Sequence, residues 1–448
     1  MAPIRYPAED VDVTPLAQPL HFEFSGKTAP NRFIKGAMSE RLATWHPTDL
    51  PKRGVPLPEL INAYKRWGEG GFGVLLSGNV MVKYDHLESP GNTIIPQEAP
   101  FSGERFERFK AMATAAKAHG SLFVAQVSHP GRQVSSLIQP NPISASDVQL
   151  EGTLLGQTYN KPRAMEKKDI EDVVDAFAHA AEYLHKAGFD GIQLHGAHGY
   201  LIAQFLALST NKRTDEYGGS LVNRARIIFD ITNEIRRRVP DPSFIIAIKV
   251  NSVEFQDGGF SPEDCRELCV ELERHQIDFV ELSGGTYQSL AFKHVRESTR
   301  KREAYFLDFA EMIVPHLKQT KVYVTGGLRT AAAMVGALGS VHGVGLGRPA
   351  CHEFDLPKKI LEGKVKSAIQ CKLDEYDFSM GNLSAGSQIG IVGRDKQPLD
   401  LSNDTHKDLF IAAFGKWAQA MANNSDGSKY RFVEEIEGIE LNPYGTPY

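Results

Sequence analysis

The residues best suited to chemistry lie in one hexapeptide, His195-Gly196-Ala197-His198-Gly199-Tyr200, which closes a short apolar run. Histidines three apart just beyond a strand can converge on one small volume. There they can bind a metal, or donate two hydrogen bonds to an oxygen that gains negative charge. Tyr200 follows as a candidate proton donor. One histidine alone could do no more than cap a helix or a carbonyl, but the trio in this position reads as chemistry. A metal hydrolase would need further ligands from other strands. The first strand ends Gly36-Ala37-Met38-Ser39, without a histidine pair, and the last ends Gly345-Leu346-Gly347-Arg348, without a carboxylate. The four cysteines include no C-x-x-C, which disfavours a zinc ribbon or an iron–sulfur cluster. No metal is expected.

Two glycine-rich strand ends suggest a second function. In Thr325-Gly326-Gly327-Leu328-Arg329 and Gly345-Leu346-Gly347-Arg348, glycines let backbone N–H groups approach a phosphate, and Arg348 can add a bidentate contact. Either motif alone could be a plain turn. Together they read as a phosphate site, and a phosphate that stays put suggests a cofactor such as FMN. Gln126 and Lys249 lie within other apolar runs, and Ser39 just past one. A glutamine and a lysine directed into a protein interior are costly unless paired. Their partner is either another interior group or the pyrimidine edge of an isoalloxazine ring.

These groups need a scaffold that gathers strand ends. Eight apolar runs occupy the first 350 residues: 32–38, 73–82, 122–128, 191–195, 244–251, 279–283, 322–325 and 343–347. They are rich in Val, Ile, Leu and Phe with little polar alternation, as parallel strands buried on both faces should be. Helical patterns separate them, for example 103–119, 168–186, 221–239, 262–275 and 305–318. Ser261-Pro262-Glu263-Asp264 is a helix start, and the glycine of Lys186-Ala187-Gly188 is a helix stop. No early G-x-G-x-x-G turn supports an open dinucleotide-binding sheet. The pattern predicts an α/β fold, a TIM (β/α)8 barrel, whose active-site mouth lies at the C-terminal ends of the strands. The stretch 130–163 is a long loop after strand 3, expected to carry local structure and shape the mouth. Residues 1–365 form the expected FMN-binding barrel and 366–448 a C-terminal extension packed on or near it. Within the extension, 382–404 reads as a loop and 406–421 as an amphipathic helix. The last seven residues form no regular element.

Bulk properties limit the partners. A net charge of -5 gives no reason to expect nucleic acid or an anionic membrane. No apolar run is long enough to cross a bilayer, and the N-terminus lacks the regions of a signal peptide. The cysteines read as buried structural thiols, so a soluble cytoplasmic protein is expected.

Longer blocks now carry a resemblance. Asn31-Arg32-Phe33-Ile34-Lys35-Gly36-Ala37-Met38-Ser39, Ala125-Gln126-Val127-Ser128-His129-Pro130-Gly131-Arg132, and the stretch from Gly188 to Arg226 with Arg213-Thr214-Asp215-Glu216-Tyr217-Gly218-Gly219-Ser220 resemble the Old Yellow Enzyme family. This family comprises FMN-dependent ene-reductases and NADH:flavin oxidoreductases, and the resemblance covers roughly residues 15–365. It implies that Ala37, Met38 and Ser39 lie along the flavin, Gln126 at its pyrimidine side and Lys249 at N1/O2. Gly326, Gly327, Gly347 and Arg348 would hold the phosphate. His195 and His198 would hold a substrate carbonyl, with hydride passing from flavin N5 and Tyr200 protonating the α-carbon. NADH or NADPH would be the reductant. Three residues depart from the family pattern. Ser39 stands for threonine or cysteine, Lys249 for arginine, and Arg41 for a substrate-facing tyrosine, which makes Arg41 a candidate substrate contact. The expected activity is reduction of activated C=C bonds in small unsaturated carbonyl compounds. The alternatives are an NAD(P)H oxidase or nitro- or quinone-reductase on the same flavin, or a redox-inactive flavin-binding barrel. A homo-oligomer is compatible with the sequence, and the extension is expected to shape the substrate pocket.

Overall fold

All eight apolar runs form strands of one closed parallel barrel. They are β1 (Phe33–Lys35), β2 (Val74–Met81), β3 (Leu122–Ser128), β4 (Gly191–Gly196), β5 (Ile245–Asn251), β6 (Phe279–Ser283), β7 (Lys321–Thr325) and β8 (Gly343–Leu346). Each pairs with its neighbour in chain order, and β8 pairs with β1 to close the ring. This computed structural model describes residues 2–153, 157–254, 257–284, 306–374, 377–424 and 427–447. The helix expected over 305–318 begins outside these residues. What is described runs Leu307–Ile313 and continues as a 3-10 turn over Val314–His316.

Side chains of a strand alternate between faces, so every second residue enters the barrel. The lower interior is apolar: Ile34, Val74, Leu76, Val124, Ile245, Ala247, Phe279 and Tyr323 form one cluster. A short antiparallel pair, Leu20–His21 with Thr28–Ala29, plugs this end with Phe22. Two residues further along the same faces the interior turns polar, at Gln126, Lys249, Glu281 and Thr325. On β4 that layer holds Gln193, and His195 follows it. The outward faces pack against helices in the main core, with Trp67 of α1 (Pro58–Glu69) stacked on Phe354 at 4.4 Å.

Local signals place the helices. Ser261 Oγ accepts from Asp264 N–H at 3.1 Å, and Gly188 takes φ +93° just past the helix ending at Lys186. The loop after β3 does carry structure, a 3-10 turn (Gly131–Gln133) and a strand pair Ile143–Ser144 with Arg163–Ala164. Its described residues pack on Gln204 and do not line the barrel-mouth cavity. Cys265, Cys269 and Cys351 are buried, but Cys371 is partly exposed. Among the described residues no helix is long and apolar enough to cross a membrane.

The extension corrects one expectation. Residues 382–404 are not a loop, because most of them belong to helix α2 (Phe378–Gly393), followed by α3 (Asp404–Ala422). Glycines at 381, 386, 390 and 393 lower helix propensity by up to about 1 kcal/mol each relative to alanine, which hides the helix from pattern reading. Packing explains three of them. A Cβ on Gly386 would lie 2.2 Å from the Phe432 ring, one on Gly393 2.7 Å from the Glu59 carbonyl, and one on Gly381 2.7 Å from the Arg348 guanidinium. Ala385, Ile389 and Val392 join the barrel's own core, while Ile391 faces a second cluster with Leu399, Leu401 and Phe410. Gly386→Ala is therefore expected to lower stability by about 1–3 kcal/mol through overpacking. Gly390→Ala, whose added Cβ meets nothing within 4 Å, should raise it by up to about 1 kcal/mol. Urea unfolding of both variants checks this, and equal effects would contradict the close-packing account.

Candidate active site

A cavity of about 320 Å³ opens at the C-terminal ends of the strands. Every sequence-derived candidate lines it: Ala37, Met38, Ser39, Arg41, Gln126, His195, His198, Tyr200, Lys249, Gly326, Gly327, Gly347 and Arg348. Its size suits a small organic ligand or cofactor.

One wall carries the histidines. The His195 ring lies 5.3 Å from that of His198 and 4.3 Å from that of Tyr200, centroid to centroid. Burial holds His195 far below its ordinary pKa, with smaller contributions from His198 and Lys249. Burial, with Lys249 second, brings His198 down to about 3. Both rings are therefore neutral at pH 7. His195 Nδ1 accepts from Ala197 N–H at 3.4 Å, which leaves the ring proton on Nε2. His198 sits at φ +58°, with its N–H on Asn251 Oδ1 at 3.1 Å and its Nε2 2.8 Å from Ser283 Oγ. Of the two histidines, His198 thus shares one ring nitrogen with a wall residue.

The floor is a polar network. Lys249 Nζ donates to Glu281 Oε1 at 3.0 Å, Thr325 Oγ1 to the same oxygen at 2.6 Å, and Gln193 Nε2 to Glu281 Oε2 at 2.8 Å. Gln126 Nε2 donates to Gln193 Oε1 at 2.7 Å. Beside Gln126, Asn79 Oδ1 is buried with no hydrogen-bond partner among the described residues. At the opposite end Gly326 and Gly327 adopt φ +139° and +86°, open to glycine, beside Arg329 and Arg348.

The β1 loop is braced from behind. Glu40 accepts from the Gly78 N–H at 2.8 Å and from the Tyr64 hydroxyl. A Cβ on Gly78 would fall 2.0 Å from that carboxylate, so glycine lets the loop bearing Met38 and Ser39 lie close to β2. Lys35 Nζ, fully buried, donates to the Leu76 carbonyl at 3.0 Å and lies 4.1 Å from the Trp67 ring centroid. Burial lowers the Lys35 pKa and raises that of Glu40, and their mutual attraction opposes both shifts. Arg41 holds φ +53°, its guanidinium 4.5 Å from the Phe432 ring centroid, and it donates to the Tyr430 carbonyl at 3.4 Å.

Sequence reading missed Asn79, Gln193, Glu281, Ser283, Arg329, Asn382, Leu383 and Phe432. Glu281 carried a readable signal, a lone acid inside an apolar strand. Gln193 carried another, two residues before His195 on the same face. Phe432 carried none, because only the folded tail brings it to the mouth.

Comparison with known proteins agrees with this architecture. Residues 16–367 match the family described as NADH:flavin oxidoreductase / NADH oxidase, and the chain belongs to that family. It is 47% identical over 416 residues to the NADH-dependent flavin oxidoreductase nadA of Aspergillus parasiticus, covering 92% of this chain and 93% of that protein. Morphinone reductase in complex with tetrahydroNAD aligns with TM-score 0.64 at 22% identity, over 82% of this chain and 93% of that one. A 2-naphthoyl-CoA reductase aligns with TM-score 0.71 at 21% identity over 90% of this chain, which spans 59% of that longer protein. These two structures share the barrel fold. The protein is an FMN-dependent oxidoreductase that draws on a nicotinamide nucleotide.

The histidines give the fold a pH dependence. Their folded pKa values lie below the ordinary 6.5. Below that pH the unfolded chain binds protons that the folded site refuses, so stability is full above pH 6.5 and falls toward pH 3. His129 and His342, also depressed, act in the same direction. Replacing His195 and His198 together with glutamine should make the fall between pH 7.5 and pH 5 shallower, read from urea midpoints. An unchanged slope would contradict the neutral-histidine assignment.

Proposed function

We propose that this protein is an ene-reductase, reducing the C=C bond of small α,β-unsaturated carbonyl compounds with NADH or NADPH. The observation that carries the reading is the convergence of two neutral histidines and Tyr200 on one wall of the cavity. The opposite ends of that cavity fit FMN. Glycines and two arginines suit a phosphate, and the Gln126 amide with the Lys249 ammonium suits a pyrimidine edge. Asn79 Oδ1 is a buried acceptor with no donor among the described residues. In this reading Gly326, Gly327, Gly347 and Arg348 hold the phosphate, and Ala37, Met38, Ser39, Gln126 and Lys249 hold the ring. FMN, when bound, supplies the hydride taken from the nicotinamide.

The protein's own residues do the rest. His195 donates its Nε2–H to the substrate carbonyl oxygen, where negative charge grows as the double bond is reduced. His198 assists once its Nε2 exchanges Ser283 for the substrate. Each neutral ring carries one N–H to donate. Tyr200 delivers a proton to the carbon α to the carbonyl. Leu346, Leu383 and Phe306 give the cavity an apolar lining. Arg41 and Phe432 contact the substrate from the side, so the extension 366–448 forms part of the pocket of the barrel 1–365.

Tyr200→Phe should leave reduction of the bound flavin by NADH near its normal rate while slowing alkene reduction by about 10²–10⁴-fold. Rapid-mixing measurement of the two half-reactions separates them. Equal slowing of both would overturn the proton-donor role.

A further inference from the structure

The cavity floor contains a hydrogen-bonded chain whose direction is fixed by one residue. Gln126 donates to Gln193, and Gln193 donates to Glu281. Both Gln193 and Glu281 have no solvent exposure (0% each). An isolated glutamine can present either end of its amide, because oxygen and NH2 are nearly the same size. A carboxylate ion-paired to Lys249 can only accept. Gln193 must therefore turn its NH2 toward Glu281 and its oxygen toward Gln126. Gln126 must in turn give its NH2 to Gln193. Its own oxygen, which has no donor among the described residues, remains for the cavity.

We infer that Glu281 is a positioning residue that sets, through Gln193, which end of the Gln126 amide faces the ligand. The floor then offers an acceptor at Gln126 and a cationic donor at Lys249. The matching ligand edge is an imide, with an N–H for Gln126 and a carbonyl for Lys249. This inference rests on FMN occupying the cavity, but Glu281 itself reaches the ligand only through its neighbours.

The chain can be reversed and restored. In Glu281→Gln the new amide keeps its oxygen toward Lys249 and Thr325 and turns its NH2 toward Gln193. Both glutamines must then flip, and Gln126 presents NH2 to the cavity, donor against donor. Adding Gln193→Glu returns a carboxylate beside Gln126 and turns its oxygen back toward the ligand. Apoprotein is titrated with FMN and followed by quenching of flavin fluorescence. Glu281→Gln should bind FMN about tenfold or more weakly than wild type. The double substitution should regain close to wild-type affinity. A merely structural role for Glu281 predicts no such rescue, since the double variant still lacks it.

Unchanged affinity in Glu281→Gln, or no recovery in the double variant, would overturn the inference. If Glu281→Gln does not fold by circular dichroism, the double variant decides alone: near-wild-type affinity supports the relay and weakened affinity overturns it. A wild-type apoprotein that ignores FMN would overturn the flavin reading, a separable result, and the relay would fall with it.

Discussion

A charge inside an apolar barrel persists only if an opposite charge and enough hydrogen bonds meet it there. Glu281 and Lys249 satisfy that condition for each other as register partners on adjacent strands, and Lys249 is in turn the register partner of His195. Removing one partner of such a pair typically costs about 3–5 kcal/mol, because the other is left buried and uncompensated. The pair is weak evidence for stability as such, and it is strong evidence for direction. It fixes the orientation of Thr325, Gln193 and Gln126 and places a cation that adds to the effect of burial in keeping both histidines neutral. The barrel's alternation supplies the layering: apolar side chains below, this network above them, and His195, Ser283 and Asn251 at the rim.

The rest of the molecule braces that rim. From the barrel side, Glu40 and Tyr64 pin the loop that carries Met38 and Ser39, and a glycine at 78 makes the approach possible. From the tail side, α2 brings Gly381 against Arg348 and Gly386 against Phe432, and Phe432 covers the Arg41 guanidinium. The two glycines do similar work, in that each leaves room for a cavity-lining side chain. The extension thus acts on both ends of the cavity, near the arginines and near Arg41.

The barrel was legible in the sequence because parallel strands buried on two faces leave uninterrupted apolar runs, which few other elements imitate. Strand bounds moved by a few residues at most, the largest change being β1, which leaves the sheet at Gly36 to start its loop. The cavity-lining residues were legible where they sit at strand ends, as His195 and Gly326 do. The partners of Gln126 and Lys249 were not. Pairing between strands far apart in sequence is fixed by barrel register, which no single strand reveals. α2 was hidden for a different reason: its glycines lower local helix propensity, and the contacts that offset them lie on α1, on Arg348 and on Phe432.

An ene-reductase must pass the electrons of its reduced flavin to an activated alkene. The direct measurement is anaerobic: reduce the FMN-loaded protein with one equivalent of NADH, mix it with 2-cyclohexenone, and follow the flavin absorption. The oxidised flavin bands should return without oxygen, and one equivalent of cyclohexanone should form. Flavin that stays bleached until air is admitted would contradict the ene-reductase reading, and the barrel would then serve an oxidase.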